Sequence, residues 1–456
     1  MKHLTLLVAL AACARANTPP APKASPYDAK IDALVAAAQK DQHAVGVSVA
    51  IARGDTIVVA KGYGFADVAK QVPATADTVY RIGSVTKQFT AVAILQLVEQ
   101  NKLKLTDDIR TYLPDYPTHG QTITLQHLLT HTSGIPSYTS VANWIEIGAK
   151  PMSRAQLLAL FADKPLDFQP GTAWAYSNSN YYLLGMVIEA VTKRPYADVI
   201  RDKLLVPAGM HASGYCNDAM PHHAQGYSVK TGAPVPARPV DLQHPFAAGA
   251  LCSTVKDLIA WQRALDRGTL LRPESLAKMR AQAKLADGKP TGYGYGVFLG
   301  ELAGHPRVGH AGGINGFTAM LARYPADDLT IAVVANAEVE TPETLEKAIA
   351  RLVLDVPVET VKQEQLAAGD RARYVGTYAI EGYGPEAPTL RVFEEGDALR
   401  VQATGQPVAT LLYQGKHTFR LDLDPEVEIV FPADGAHAAG FTLHQHGMSI
   451  EAKRAP

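Results

Sequence analysis

Residues Arg81–Gln100 read RIGSVTKQFTAVAILQLVEQ, and the reading of this stretch decides how the chain is organised. Phe89, Val92, Ala93, Ile94, Leu95, Leu97 and Val98 make a helix that is apolar almost all round, which predicts a central, buried element. Ser84 and Lys87 stand three apart where that helix begins, so they share a face and the amine reaches the hydroxyl. Gly83 permits a tight entry. A buried lysine needs partners or a lowered pKa, and a serine beside it becomes an activated nucleophile. The helix N-terminus adds free N–H groups and its positive end at the same place.

The triplet alone proves little. With 14 serines and 22 lysines a chance Ser-x-x-Lys is expected, and Ser253/Lys256 and Ser275/Lys278 also occur. Ser253 in LCSTVKDLIAW reads as a helix N-cap, and Ser275 sits among helix formers in RPESLAKMRA; both are structural.

Around this element the strands VGVSVAIA and TIVVAKGYG flank a turn at Gly54-Asp55, and GFTAMLARY and LTIAVVAN form a second hairpin. Helices are predicted over Tyr27–Gln42 and Thr341–Leu354. If the hairpins share one sheet, the ends of a domain spanning 27–356 meet, and the helical residues between them form a second lobe across a cleft. The fold class expected is therefore α/β: a mixed sheet flanked by helices plus an all-helical lobe. After a linker over 357–370, the segment 371–456 breaks into eight short alternating segments, which predicts a small antiparallel barrel. Val427, Ile429 and Phe431 mark its inner face.

The chain of 456 residues carries a net charge of -1 and no run of like charges, so a nucleic-acid partner is not expected. There is no CxxC, HExxH or Cys/His cluster at ligand spacing, and neither a metal nor a cofactor is expected. Met1–Ala16, MKHLTLLVALAACARA, reads as an export signal followed by a Pro/Ala tether over 17–26. Leu10-Ala11-Ala12-Cys13 also resembles a lipobox, so a lipid anchor at Cys13 stays open beside a discarded signal peptide. Cys216 and Cys252 remain, as one disulfide in an oxidising compartment or as two lone buried thiols.

Three elements in order, Ser84-Val85-Thr86-Lys87, Tyr176-Ser177-Asn178 in FQPGTAWAYSNSNYYLLG and His310-Ala311-Gly312 in RVGHAGGINGF, carry a resemblance. With LLTHTSGIP, AAGALCSTVKDL and GYGYG around them, the chain resembles class C β-lactamases, serine D-alanyl-D-alanine peptidases and related esterases and D-aminopeptidases over about Tyr27–Leu354. The resemblance implies a β-lactamase/transpeptidase-like fold and an acyl-enzyme on Ser84. It implies that Lys87 and Tyr176 act as a coupled pair moving protons, that Asn178 holds the substrate amide, and that the N–H groups of Ser84 and Gly313 form the oxyanion hole. Gly312 and Gly313 let the backbone approach the acyl group.

His310 departs from the lysine usual in β-lactamases and removes a permanent cation, which makes penicillin hydrolysis the weaker expectation beside peptide or ester hydrolysis. A non-catalytic penicillin-recognising sensor is the rival from another class. The absence of G-x-S-x-G speaks against a Ser-His-Asp triad, and His131 reads as structural. The last ninety residues resemble the lipocalin-like domain of some family members, which covers the cleft or mediates assembly there; a plain stabilising barrel stays open beside it.

Overall fold

The computed structural model describes residues 25–217, 220–229, 233–339, 341–357, 361, 363–380, 389–403, 408–422, 427–445 and 448–455. The export signal, Cys13 and nearly all of the tether lie outside the described residues, as does part of the 357–370 linker.

Seven strands form one sheet in the order Val72–Pro73, Thr56–Asp67, Gly46–Arg53, Leu329–Ala335, Phe317–Tyr324, His305–Ile314, Phe298–Leu302. Every pairing is antiparallel. Gly46–Arg53 pairs with Leu329–Ala335 in the register Val49↔Val333, so residues nearly three hundred positions apart close the domain. Apart from Leu329 and the terminal Arg53 both strands carry β-branched or small residues, and all but Arg53 are buried.

Alternation along these strands sorts the two faces. Val47, Val49 and Ile51 pack with Ile31 and Val35 of Asp28–Gln42 and with Leu345 and Ile349 of Thr341–Leu354. Ala50 and Ala52 face the other way, with Ala332 and Val334, against the helix Thr86–Glu99 and the helix Val255–Asp266. Small side chains on this face let a helix approach closely. Phe89 stacks on Trp261 with ring centroids 3.8 Å apart, and both are fully buried. Burial of one such ring contributes roughly 2–3 kcal/mol.

Beyond that core stands the helical lobe, with Leu125–Leu129, Arg154–Ala159, Asn178–Thr192 and Tyr196–Ile200 among its helices. A three-stranded ribbon, Tyr80–Arg81, Leu251–Ser253 and Gly214–Tyr215, leads into the segment before Ser84. Cys252 sits opposite Arg81 on one side and Gly214 on the other, and it is disulfide-bonded to Cys216 across 36 residues. The bond therefore ties down the approach to the Ser84 turn.

One cap differs from expectation. Thr254, not Ser253, caps Val255–Asp266, its hydroxyl accepting from Asp257 N. Ser253 ends the preceding strand and bonds Ser213 instead, because the helix starts at Val255 and only the residue directly before it holds its side chain over the first free N–H groups.

Eight strands from Gly376–Ile380 to Met448–Arg454 close into an antiparallel barrel. Val427, Ile429 and Phe431 point inward, joined by Tyr374, Tyr378, Phe419 and Phe441. These aromatic rings fill the interior as a packed core. Arg454 stitches one seam by donating to the carbonyls of Arg373, Val375 and Ala438.

Candidate active site

Ser84 lies in a single 3-10 turn, Gly83–Val85, that runs straight into Thr86–Glu99. The helix is capped at Val85 with no side-chain hydrogen bond, so the Ser84 hydroxyl is not spent as a cap. Gly83 adopts φ +49°, and a Cβ there would stand 2.8 Å from Gly313 N. A Cβ on Gly312 would stand 2.0 Å from Ile82 O and 3.1 Å from Ser84 N. Two glycine backbones thus let the strand His305–Ile314 lie directly against the serine turn. Gly313 itself faces open space, since a Cβ there meets nothing within 4 Å.

Lys87 is fully buried behind the half-buried Ser84. Its Nζ lies 3.0 Å from Ser84 Oγ, 2.8 Å from Asn178 Oδ1 and 2.9 Å from the Ala248 carbonyl. No carboxylate contacts it among the described residues, and burial pushes its pKa well below the ordinary lysine value. Two of the three partners only accept hydrogen bonds; the third is a hydroxyl that also donates. A neutral amine satisfies this set completely: two N–H groups go to Asn178 and Ala248, and the lone pair faces the Ser84 hydroxyl.

The ring of Tyr176 lies beneath the amine, its centroid 4.8 Å from Nζ. Burial raises the phenol's pKa, opposed in part by its hydrogen bond with Ser84, so the hydroxyl is protonated at neutral pH. Asn178 opens the helix Asn178–Thr192 and is held at both ends of its carboxamide, its Nδ2 donating to Thr139 Oγ1. Each end keeps spare capacity, a second N–H on Nδ2 and a second lone pair on Oδ1, with which to meet a substrate amide while both partners stay in place.

His310 is buried, and both ring nitrogens are in use: Nδ1 donates to the Ala311 carbonyl at 2.6 Å and Nε2 accepts from the Tyr293 hydroxyl at 3.0 Å. Burial is the main cause that pushes its pKa down to about 3. The ring is thus neutral at physiological pH and leaves the third motif without a cation. Trp174, Tyr176, Tyr293 and Phe298 form an aromatic wall around it.

Of the residues singled out by sequence, Ser84, Lys87, Tyr176, Asn178, Gly312 and Gly313 converge here, and His310 stands directly behind them. Cys216 and Cys252 serve the approach ribbon, not the pocket. The Ala248 carbonyl, Thr139 and Tyr293 have no sequence signal of their own; only AAGALCSTVKDL and GYGYG hint at two of them. No cluster of His, Cys, Asp and Glu able to hold a metal occurs among the described residues.

The beta-lactamase family matches residues 31–355, well over half of the chain. The protein belongs to that family. It is 27% identical over 442 residues to a penicillin-binding protein of Bacillus subtilis, covering 91% of this chain and 96% of the relative. The octameric penicillin-binding protein homologue of Pyrococcus abyssi superposes with TM-score 0.67 at 26% identity, over 93% of this chain and all of the other. A D-stereospecific amidohydrolase of a Streptomyces species superposes with TM-score 0.61 at 29% identity, over 71% and 98%. As a beta-lactamase family member, the protein has the fold of a serine-hydrolase family, and the matched span contains all three of the motifs.

Proposed function

We propose that this protein is an exported serine hydrolase that forms an acyl-enzyme on Ser84 and acts on D-amino-acid amides and peptides or on short esters. The observation that carries the reading is the fully buried Lys87 amine, 3.0 Å from Ser84 Oγ and without a carboxylate partner among the described residues. As the neutral base it takes the Ser84 proton while Oγ attacks the substrate carbonyl carbon. The oxyanion that forms is received by the N–H groups of Ser84 and Gly313. Tyr176, protonated, gives its proton to the departing amine or alkoxide and is recharged from the Lys87 ammonium. Water then attacks the ester by the reverse of these transfers, returning the Ser84 proton.

Substrate class follows from His310. Without a permanent cation at the third motif, a substrate carboxylate finds no partner there, which favours neutral amides and esters over β-lactams and over peptides cleaved beside a free carboxylate. The D-stereospecific amidohydrolase of a Streptomyces species supports the D-amino-acid side of this reading. Export is supported by Met1–Ala16 and by the Cys216–Cys252 disulfide; Cys13 is the position at which a lipid anchor would be sought.

The test is a panel of D-amino-acid amides, D-peptides, short acyl esters and a penicillin, with adducts read by intact mass. Turnover of amides or esters through a Ser84 adduct is expected. A permanent penicillin adduct with no turnover of anything would make the protein a sensor, and the absence of any adduct on Ser84 would end the proposal.

A further inference from the structure

His131 is fully buried within the lobe, and its backbone takes φ +58°, a left-handed conformation that few non-glycine residues adopt and that histidine enters more readily than most. That conformation turns its carbonyl and its ring toward the same neighbouring segment. The carbonyl accepts from Ala175 N at 3.0 Å, and Nδ1 accepts from Ser177 N at 3.2 Å. These are the residues immediately before and after Tyr176.

Chemistry fixes the tautomer. A backbone N–H and the Asn180 amide nitrogen, 3.3 Å from Nδ1, both only donate, and Asn180 is oriented by its Oδ1 accepting from Ser133 Oγ at 2.7 Å. Nδ1 therefore carries no proton, and Nε2 does. Nε2 has no hydrogen-bond partner among the described residues, and its ring stands among those of Tyr176, Tyr181 and Tyr293, with centroids 4.4, 5.2 and 4.8 Å away. The ring's one acceptor, shared with Asn180, and the main-chain carbonyl both face the segment that carries Tyr176.

We propose that His131 is a positioning residue for the acyl-transfer reaction, gripping the chain on both sides of Tyr176 so that the phenol is held at Ser84. The inference rests on the functional reading above. It predicts an effect on the chemical step, carried by the Tyr176 hydroxyl.

The test follows acylation and turnover of p-nitrophenyl acetate by the full-length protein, with the Ser84 adduct read by mass. His131→Leu removes the acceptor, and a displacement of about 1 Å at the phenol should lower kcat by about a hundredfold with little change in KM. His131→Asn restores an oxygen at the Nδ1 position and tolerates the left-handed backbone, so it should stay within about tenfold of wild type; His131→Gln, with its acceptor one bond farther out, should not. In a Tyr176→Phe background the Leu change should lower kcat no more than about threefold, because its target is gone. A folded His131→Leu with wild-type kcat, equal rates for the Asn and Gln variants, or an undiminished loss in the Tyr176→Phe background would overturn the proposal. If His131→Leu does not fold, the Asn and Gln comparison decides. A wild-type protein that is never acylated on Ser84 overturns the functional reading and this inference with it; wild-type acylation with unimpaired variants overturns this inference alone.

Discussion

Lys87 Nζ donates to the carbonyl oxygen of Ala248 at 2.9 Å, a bond between the first turn of the buried helix and a short helical segment, Phe246–Gly249, more than 150 residues away. It holds the amine in place without contributing negative charge. A carboxylate in the same position would keep the lysine protonated; a carbonyl leaves it free to lose its proton.

Lys87→Ala should therefore lower the acylation rate by about 10²–10⁴-fold, the range for loss of a general base. The acid limb of the wild-type pH–rate profile should fall well below the ordinary lysine range, because burial lowers the folded pKa and the free amine appears as pH rises through it. Stability should follow the same sign. The unfolded chain keeps its lysine proton up to about 10.5 while the native state has already released it, so stability rises with pH between the two values. Acylation rates of wild type and Lys87→Ala from pH 5 to 10 check this; an acid limb near 10 would contradict it.

For His310 the folded pKa of about 3 lies under the unfolded value of 6.5. Between these values the unfolded state binds a proton that the native state refuses, so stability falls as pH drops from 6.5 toward 3. The slope from this one group is at most about 1.4 kcal/mol per pH unit. Urea denaturation at pH 7 and pH 5 should show a smaller loss in His310→Gln than in wild type.

Gly83→Ala should impair folding and acylation together. A Cβ at φ +49° would stand 2.8 Å from Gly313 N, a contact that only backbone movement relieves, and the left-handed conformation itself disfavours alanine by about 1 kcal/mol. Gly313→Ala is the control for packing, since its Cβ meets nothing within 4 Å. Its melting temperature should stay near wild type, while acylation by bulky acyl groups slows.

Breaking the Cys216–Cys252 bond by paired serine substitution should lower stability by up to about 4 kcal/mol, the loop-entropy value for a closed loop of 36 residues. Because Cys252 is paired with Arg81, acylation should weaken before global unfolding in a denaturant series.

On the far face of the sheet, Arg307 donates to Glu346 through Nε at 3.1 Å and Nη2 at 2.6 Å, and Tyr324 donates to the other carboxylate oxygen at 2.7 Å. All three are buried. Glu346→Ala leaves a buried guanidinium unpaired and should lower stability by about 3–5 kcal/mol, with kcat on p-nitrophenyl acetate unchanged while the protein remains folded.

What the sequence determined by itself is local. Ser84 and Lys87 share a helical face because three residues make nearly a full turn, and the apolar run after them has to be buried wherever the helix lies. The two hairpins and the eight barrel strands follow from alternation with a period of two, which each segment carries internally. Tertiary structure decided everything that joins distant segments. The Ala248 carbonyl under Lys87, the Tyr293 hydroxyl on His310 and the His131 grip on Tyr176 involve main-chain atoms or unremarked side chains separated by 17 to 161 positions, for which spacing carries no signal. The same physics moved the cap of Val255–Asp266 from Ser253 to Thr254, since the position at which the strand gives way to the helix is set by pairing with Tyr80–Arg81. Local propensities choose the elements, but whether a buried amine is charged depends on which groups the folded chain brings to it.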